Sequence, residues 1–399
     1  MITKSLLISS LIISSGFSLG LDDIVNDALK NSYDLQKLNK NLQITNEDIK
    51  LSDKWNNPTI SIGANDIHFD TPFARDKEAM QSNYVSISQV IPINGKLKYK
   101  KNIAIQDNNI AHMDLENKKL QLSSLIYEYG YKILINKQKL ALINEYQKNT
   151  KKLHEIGLSL YESGKVNQIV PLKTDLLSSK LEIQKENIKF ELKNLNTKLE
   201  QITYKEVLGL DDSIELNEIH AIKSDISSHP VLVSIEYNKI KFNNLALLEE
   251  SKKYSDIKVN LGYFSRDDKF EDYANLSFSM PLPIYGNEEA KVAKARYQAS
   301  KTQDDLKIIK TQFEKNFSTL KEEMKKSFIN YQTLSINMIP QREFIQKNIH
   351  SHYRLGHMKS VDLLSNINET ISLELLALDE LSKYYSAYAK SKYYTGIKK

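Results

Sequence analysis

The chain has 399 residues with no cysteine, 12 glycines, 8 prolines and a formal net charge of +5 at pH 7. The lack of cysteine excludes disulfides, zinc thiolate sites and cysteine nucleophiles, and the mild, dispersed charge lacks the basic patch or stripe of a nucleic-acid-binding protein. So few turn formers over this length predict long helices, and a mean hydropathy of −0.45, with no later run of about twenty apolar residues, excludes helical membrane spans.

Residues 1–20 read as a secretory signal. Lys4 is their only charge, Leu6 to Ile13 form a short apolar run, and Ser18 and Gly20 suit a small-residue cleavage site. The alternative is a membrane anchor, but the run is too short to span a bilayer. No cysteine follows it, so a lipid anchor through Cys is excluded. Cleavage before Leu21 removes Lys4 and lowers the net charge from +5 to +4.

Leu21 to about Asp53 reads as one helix, with Leu29, Leu35, Leu38 and Leu42 on a broken apolar stripe. From Thr59 to Ile67 the pattern alternates: Ile60, Ile62 and Ala64 against Thr59, Ser61, Gly63 and Asn65. A second strand follows, with Val85, Ile87 and Ile91 against Ser86, Ser88 and Val90. A period of two gives each strand one apolar and one polar face. Leu97 to about Lys152 is the first long helical stretch, and after Gly164 the chain runs back as helix to about Thr203.

The second half repeats this order. Ile257, Val259, Leu261 and Tyr263 alternate with Lys258, Asn260 and Gly262; Leu276, Phe278 and Met280 alternate with Asn275, Ser277 and Ser279. A short charged loop, Arg266 to Asp272, joins them. From Glu288 to about Arg354 the only breaker is Pro340, so at 1.5 Å per residue the helix would be about 100 Å long. Its apolar residues Leu306, Ile309, Phe313, Phe317, Leu320, Met324, Phe328 and Tyr331 follow a 3-4-4 spacing, which supercoils little and lets helices stand side by side. The return helix after Gly356 runs to about Tyr394.

Landmarks show the two halves to be one unit duplicated. Ile91-Pro92-Ile93-Asn94-Gly95 answers Leu282-Pro283-Ile284-Tyr285-Gly286 at 286 − 95 = 191, and Gly164 answers Gly356 at 356 − 164 = 192. The expected organisation is a first repeat at 21–208 (hairpin about 58–92, tip turn about 161–167) and a linker at 209–228. The second repeat follows at 229–399, with its hairpin at about 256–283 and tip turn at about 353–359.

Four strands of this length and alternation suit an outer-membrane β-barrel. Four cannot close one, and lipid does not tolerate open edges, so the strands must come from several chains. A soluble four-stranded sheet on a core is the rival reading. Against it stand the small uncharged polar faces, with Ser86, Ser88, Ser277 and Ser279 as lumen candidates, and flanking helices too long to fold over a small sheet.

The pattern resembles the TolC-type outer-membrane efflux family over essentially the whole mature chain. The resemblance rests on six segments in order: Ala28–Gly63 and Ser227–Tyr263 for the opening helix and strand, SISQVIPINGK and SFSMPLPIYGN for the strand ends, and LYESGKVNQIVPLKTDLL and YRLGHMKSVDLLSNINET for the tip turns. It implies a mixed α and transmembrane β fold of two tandem repeats, each of long helices plus a hairpin. It also implies a homotrimer whose 3 × 4 = 12 strands form one barrel, continued by an α-helical barrel through the periplasm of a Gram-negative bacterium. Gly209 to Ala221 and the last residues are candidates for an equatorial belt.

No catalytic constellation is present: His154-Glu155 lacks a second His at metalloprotease spacing, and no Gly-rich phosphate loop exists. No enzyme activity and no cofactor are expected. Pro92, Gly95, Pro283 and Gly286 mark the strand-to-helix returns. Gly164 and Gly356 permit a tight helix-to-helix reversal, which a Cβ would strain. The resemblance adds docking of a periplasmic adaptor at Glu162, Ser163, Gly164, Lys165 and Val166, and at Arg354, Leu355, Gly356, His357 and Met358. It also implies a gate: Asp362 sits where family members carry an acidic ring at the periplasmic mouth, although Ser365 and Val170 replace further acidic positions. Asp362 also reads as a solvated carboxylate favoured by the helix dipole.

His350, His352 and His357 cluster near Met358; such side chains bind transition metals, but their spacing matches no defined site. The QVIPINGK strand end resembles the heavy-metal (CzcC/CusC-like) branch. The function implied is the exit duct of a tripartite efflux system. It would serve an inner-membrane pump of resistance-nodulation-division type, for metal cations or small toxic compounds. A type I protein secretion duct and a periplasmic coiled-coil structural protein stay open as alternatives.

Overall fold

The computed structural model describes residues 20–207, 210, 214, 216–222, 225–354 and 360–395, with backbone alone at 346–347, 349–354, 360–363 and 395. The expected signal segment lies outside these residues except for Gly20. Eight α-helices and four strands are described: α1 (Leu21–Asn31), α2 (Tyr33–Ser52), β1 (Thr59–Asn65), β2 (Ser82–Ile91), α3 (Lys96–Glu162), α4 (Ile169–Thr203), α5 (Pro230–Ser251), β3 (Ile257–Ser265), β4 (Tyr273–Ser279), α6 (Asn287–Gln332), α7 (Ile339–Arg354) and α8 (Ser360–Thr395). The order helix, two strands, long helix, return helix occurs twice.

Contacts divide the chain differently. One unit combines residues 37–117 with 227–312 and carries the strands; the other combines the segments up to 36, 118–226 and from 313 on, and is helical.

The strand-bearing unit holds one antiparallel sheet in the order β1-β2-β3-β4. The two hairpins join through β2 and β3, where Ser86 faces Gly262 and Ile87 faces Leu261. A buried ion pair fixes this joint. Lys96 is 7% exposed, and its Nζ lies 2.6 Å from Asp256 Oδ1 while also donating to the Tyr254 carbonyl. Asp256 Oδ1 accepts from the Ile93 N–H as well. The end of β2 is thus tied to the start of β3.

In the helical unit, Ile143, Leu177, Leu181, Leu364, Ile367 and Ile371 form one core cluster from α3, α4 and α8. Of the spaced apolar positions expected on α6, Phe317 is 5% and Met324 2% exposed.

Two long helices expected to be unbroken carry an interruption. The first helix breaks at Ser32, which is extended (φ −60°, ψ 125°) and buried. Its N–H donates to the Ala28 carbonyl while its own carbonyl accepts from Gln36, so it ends α1 and begins α2, a position serine favours. Pro340 breaks nothing. It has no N–H to donate, and the chain passes through it by a π-helical turn, Thr333–Met338, between α6 and α7, a usual site of local accommodation in helices.

Candidate functional site

The sheet registers sort every strand residue onto a face. Ile60, Ile87, Leu261 and Leu276 form one row; Ile62, Val85, Tyr263 and Ala274 form the next. Their large side chains are all exposed, Ile62 at 81% and Leu276 at 58%. The opposite face carries the row Thr59, Ser88, Asn260 and Ser277 and the row Ser61, Ser86, Gly262 and Asn275, with Ser279 opposite Lys258. The four serines singled out from the sequence therefore share one face. Ser86 and Ser88 are half-buried and Gly262 is buried, so along β2 and β3 this polar face is the more enclosed. That inverts a soluble sheet, which buries its apolar face. Among the described residues β1 and β4 each keep one unpaired edge.

Towards the hairpin loops the polar face turns aromatic. Gly63, Tyr84, Phe264 and Tyr273 share one row. The Phe264 and Tyr273 rings stack in parallel at 4.7 Å, and Tyr84 lies 5.5 Å from Phe264. The glycines make room: a Cβ on Gly63 would sit 2.7 Å from the Tyr84 hydroxyl, and one on Gly262 2.9 Å from the Phe264 ring. Arg266 lies over Phe270 and Tyr273, and its Nη1 donates to the Ala79 carbonyl in the other hairpin. Sequence reasoning did not single out this row, although its aromatic residues fall on the polar side of the alternation.

At the strand-to-helix returns Gly95 and Gly286 hold φ values of +72° and +70°, the left-handed region that glycine enters without strain. Pro92 and Pro283 precede them, and in the first return Asn94 is also left-handed, at +57°. Each glycine's carbonyl then caps its helix, accepting from Tyr99 in one and from Glu289 in the other.

The first tip turn is a Schellman motif. Gly164, at φ +70°, donates to the Tyr161 carbonyl, and Lys165 donates to the Leu160 carbonyl, which satisfies the last carbonyls of α3. Asn167 Oδ1 accepts from the Ile169 N–H as α4 begins. Glu162, Ser163, Gly164 and Lys165 are exposed and Val166 is half-buried. In the second tip, Leu355, Gly356, His357 and Met358 lie outside the described residues. Arg354, His350 and His352 are placed in α7 and Asp362 in α8, each by backbone alone.

The helical unit holds a tyrosine cluster. Tyr131 packs 4.5 Å from Tyr385, His220 lies 4.5 Å from Tyr388, and Lys392 Nζ sits 3.8 Å above the Tyr127 ring. The Tyr127 hydroxyl donates to Asp22. Burial pushes the Tyr127 and Tyr131 phenols up and Lys392 down. Burial, then Lys392, holds the His220 imidazole below its usual value, against Glu218. His220 belongs to the segment expected to form an equatorial belt; Gly209 of that segment lies outside the described residues.

A titratable cluster that the sequence reading missed lies between β1 and β2. Asp66, His68 and Glu78 bring one ligand atom each within 4.8 Å of one another. Their spacing follows no motif, since the hairpin loop alone unites them.

An inside-out sheet with open edges, continued by long helices, is the architecture of an outer-membrane channel subunit. Residues 24–203 match the family described as outer membrane efflux protein. It is 18% identical to the cobalt-zinc-cadmium resistance protein CzcC of Cupriavidus metallidurans over 78% of this chain and 77% of that one. Its fold is similar to CusC (TM-score 0.78, 12% identity, covering 94% of this chain and 92% of that one). It is equally similar to the Campylobacter jejuni CmeC outer membrane channel (TM-score 0.78, 15% identity, 94% and 85%). At these identities the solved structures show that the chain shares their fold.

Proposed function

We propose that three copies close their four-stranded sheets into one twelve-stranded barrel, with the Ile60 and Ile62 rows against lipid and the Ser86 and Ser88 rows lining the lumen. The carrying observation is the exposed apolar face bounded by two unpaired edges. A sheet edge left open in hydrocarbon costs several kcal/mol for each unsatisfied backbone group, so edge pairing between copies is obligatory. The helices of the trimer continue as a periplasmic barrel.

The tip turns dock a periplasmic adaptor. The exposed Schellman turn at Gly164 supports this, and Gly356 holds the matching place in the sequence. Asp362, one carboxylate per copy, narrows the closed mouth. The pump is of resistance-nodulation-division type. The cargo is metal cations or small toxic compounds, with metals favoured by the likeness to CzcC.

The test has two arms. Unboiled gels and mass measurement in detergent should show trimers for wild type and Gly164→Trp alike. Cells lacking the channel gene should regain zinc and cadmium tolerance from wild type but not from Gly164→Trp. A monomeric protein would refute the barrel, and a fully active Gly164→Trp would refute docking at this tip.

A further inference from the structure

The loop joining β1 to β2 carries a built cluster of metal-ligating side chains. His68 Nε2 lies 3.8 Å from Asp66 Oδ2 and 3.7 Å from Glu78 Oε1. Both separations are too long for a hydrogen bond. Yet Nε2 is sealed from solvent and has no hydrogen-bond partner, although a buried polar nitrogen is normally satisfied. Zinc-type ions bind imidazole and carboxylate at about 2.0–2.2 Å, and donors spread tetrahedrally around one ion then lie about 3.3–3.6 Å apart. The two histidine separations need only a few tenths of an ångström of closure, and all three donors already lie within 4.8 Å of one another.

The backbone is arranged to hold the three donors there. Asp66 sits at φ +55°, a conformation Asp tolerates. A turn closes after His68, where Thr71 N donates to the His68 carbonyl, and another after Glu78, where Gln81 N donates to the Glu78 carbonyl. Fully buried Gln81 locks the two arms together: its Nε2 donates to the Asp66 carbonyl and its Oε1 accepts from Lys77 N. The clamp brings residues 66 and 78 to one place although twelve positions separate them.

We propose that Asp66, His68 and Glu78 form a divalent transition-metal site of the Zn2+ class on the first hairpin loop, one per chain. One imidazole and two carboxylates suit Zn2+, Co2+ or Ni2+, whereas the imidazole disfavours Ca2+ and Mg2+. Three protein ligands leave a further position for water or an exogenous ligand. The loop lies between the barrel strands at the end away from the helices, so on the channel reading the site faces the cell exterior. The proposal goes beyond the exit-duct function and does not depend on what the channel carries.

The experiment is Zn2+ titration by calorimetry of the purified full-length protein, wild type beside His68→Ala and Glu78→Gln. Wild type should bind one more Zn2+ per chain than His68→Ala, because the histidines near the second tip contribute equally to both. Glu78→Gln should weaken that binding at least about 10-fold, and Co2+ loaded into wild type should give a visible absorption band absent from His68→Ala. Circular dichroism confirms that the variants fold. Equal stoichiometry and affinity in all three proteins would overturn the site. So would a wild type that binds no metal. Either result would leave the channel reading intact.

Discussion

Two neighbouring arginine substitutions on β2 separate a membrane sheet from a soluble one. Ile87 lies midway along β2 in the exposed row with Ile60, Leu261 and Leu276. Against lipid, an arginine near the bilayer midplane costs about 2–4 kcal/mol, which lowers the assembled fraction about 30- to 1,000-fold for each chain of the proposed trimer. Ser86, one position away, sits on the opposite face in the row with Ser61, Gly262 and Asn275. An arginine there enters a water-filled lumen at little cost and adds one positive charge per chain. The assay is the yield of heat-resistant trimer in outer-membrane fractions, followed by ion selectivity of the purified protein. Ile87→Arg should assemble poorly, and Ser86→Arg should assemble normally with reduced cation preference. Equal tolerance of both, or the reverse order, would refute the assignment of faces.

Other expectations concern stability. Lys96→Met leaves the Asp256 carboxylate and Tyr254 carbonyl without their ammonium. Breaking a buried pair costs about 3–5 kcal/mol; because Asp256 keeps 35% exposure, about 2–3 kcal/mol is expected. It is read as a lowered denaturation midpoint from Trp55, the only tryptophan, with partial recovery in Lys96→Met/Asp256→Asn. Gly130→Ala would place a Cβ 2.0 Å from the buried Leu21 Cδ2, an overpacking cost of about 1–3 kcal/mol that Leu21→Ala should relieve in thermal melts. His220 has a lowered folded pKa, so the unfolded state binds more protons as pH falls below about 6.5. Its contribution is complete above that pH and is lost on acidification. Between pH 6.5 and 5, His220→Asn should therefore lose stability less steeply than wild type in pH-stepped melts.

The hairpins were legible because alternation is a local property: which residues face together follows from a period of two, and the serines at 86, 88, 277 and 279 fall on one face as that period requires. The returns and the first tip were legible because glycine is the residue that enters positive φ most freely, and Gly95, Gly164 and Gly286 do so. Contacts between distant segments left no such mark. Lys96 and Asp256 stand 160 residues apart, and nothing near either names the other. The Asp66, His68 and Glu78 cluster depends on the Gln81 clamp, which no spacing rule encodes. Ser32 misled, since an unmarked serine ended one helix and began the next, and no local pattern announced the π-helical turn at Thr333–Met338 ahead of Pro340.

The most direct measurement of the channel itself is single-channel conductance of the purified protein in planar bilayers, wild type beside Asp362→Ala. Small, cation-selective steps that divalent ions block, with larger steps and weaker block in Asp362→Ala, are the predicted result. A protein that neither inserts nor conducts would return the four strands to a soluble sheet and contradict the account.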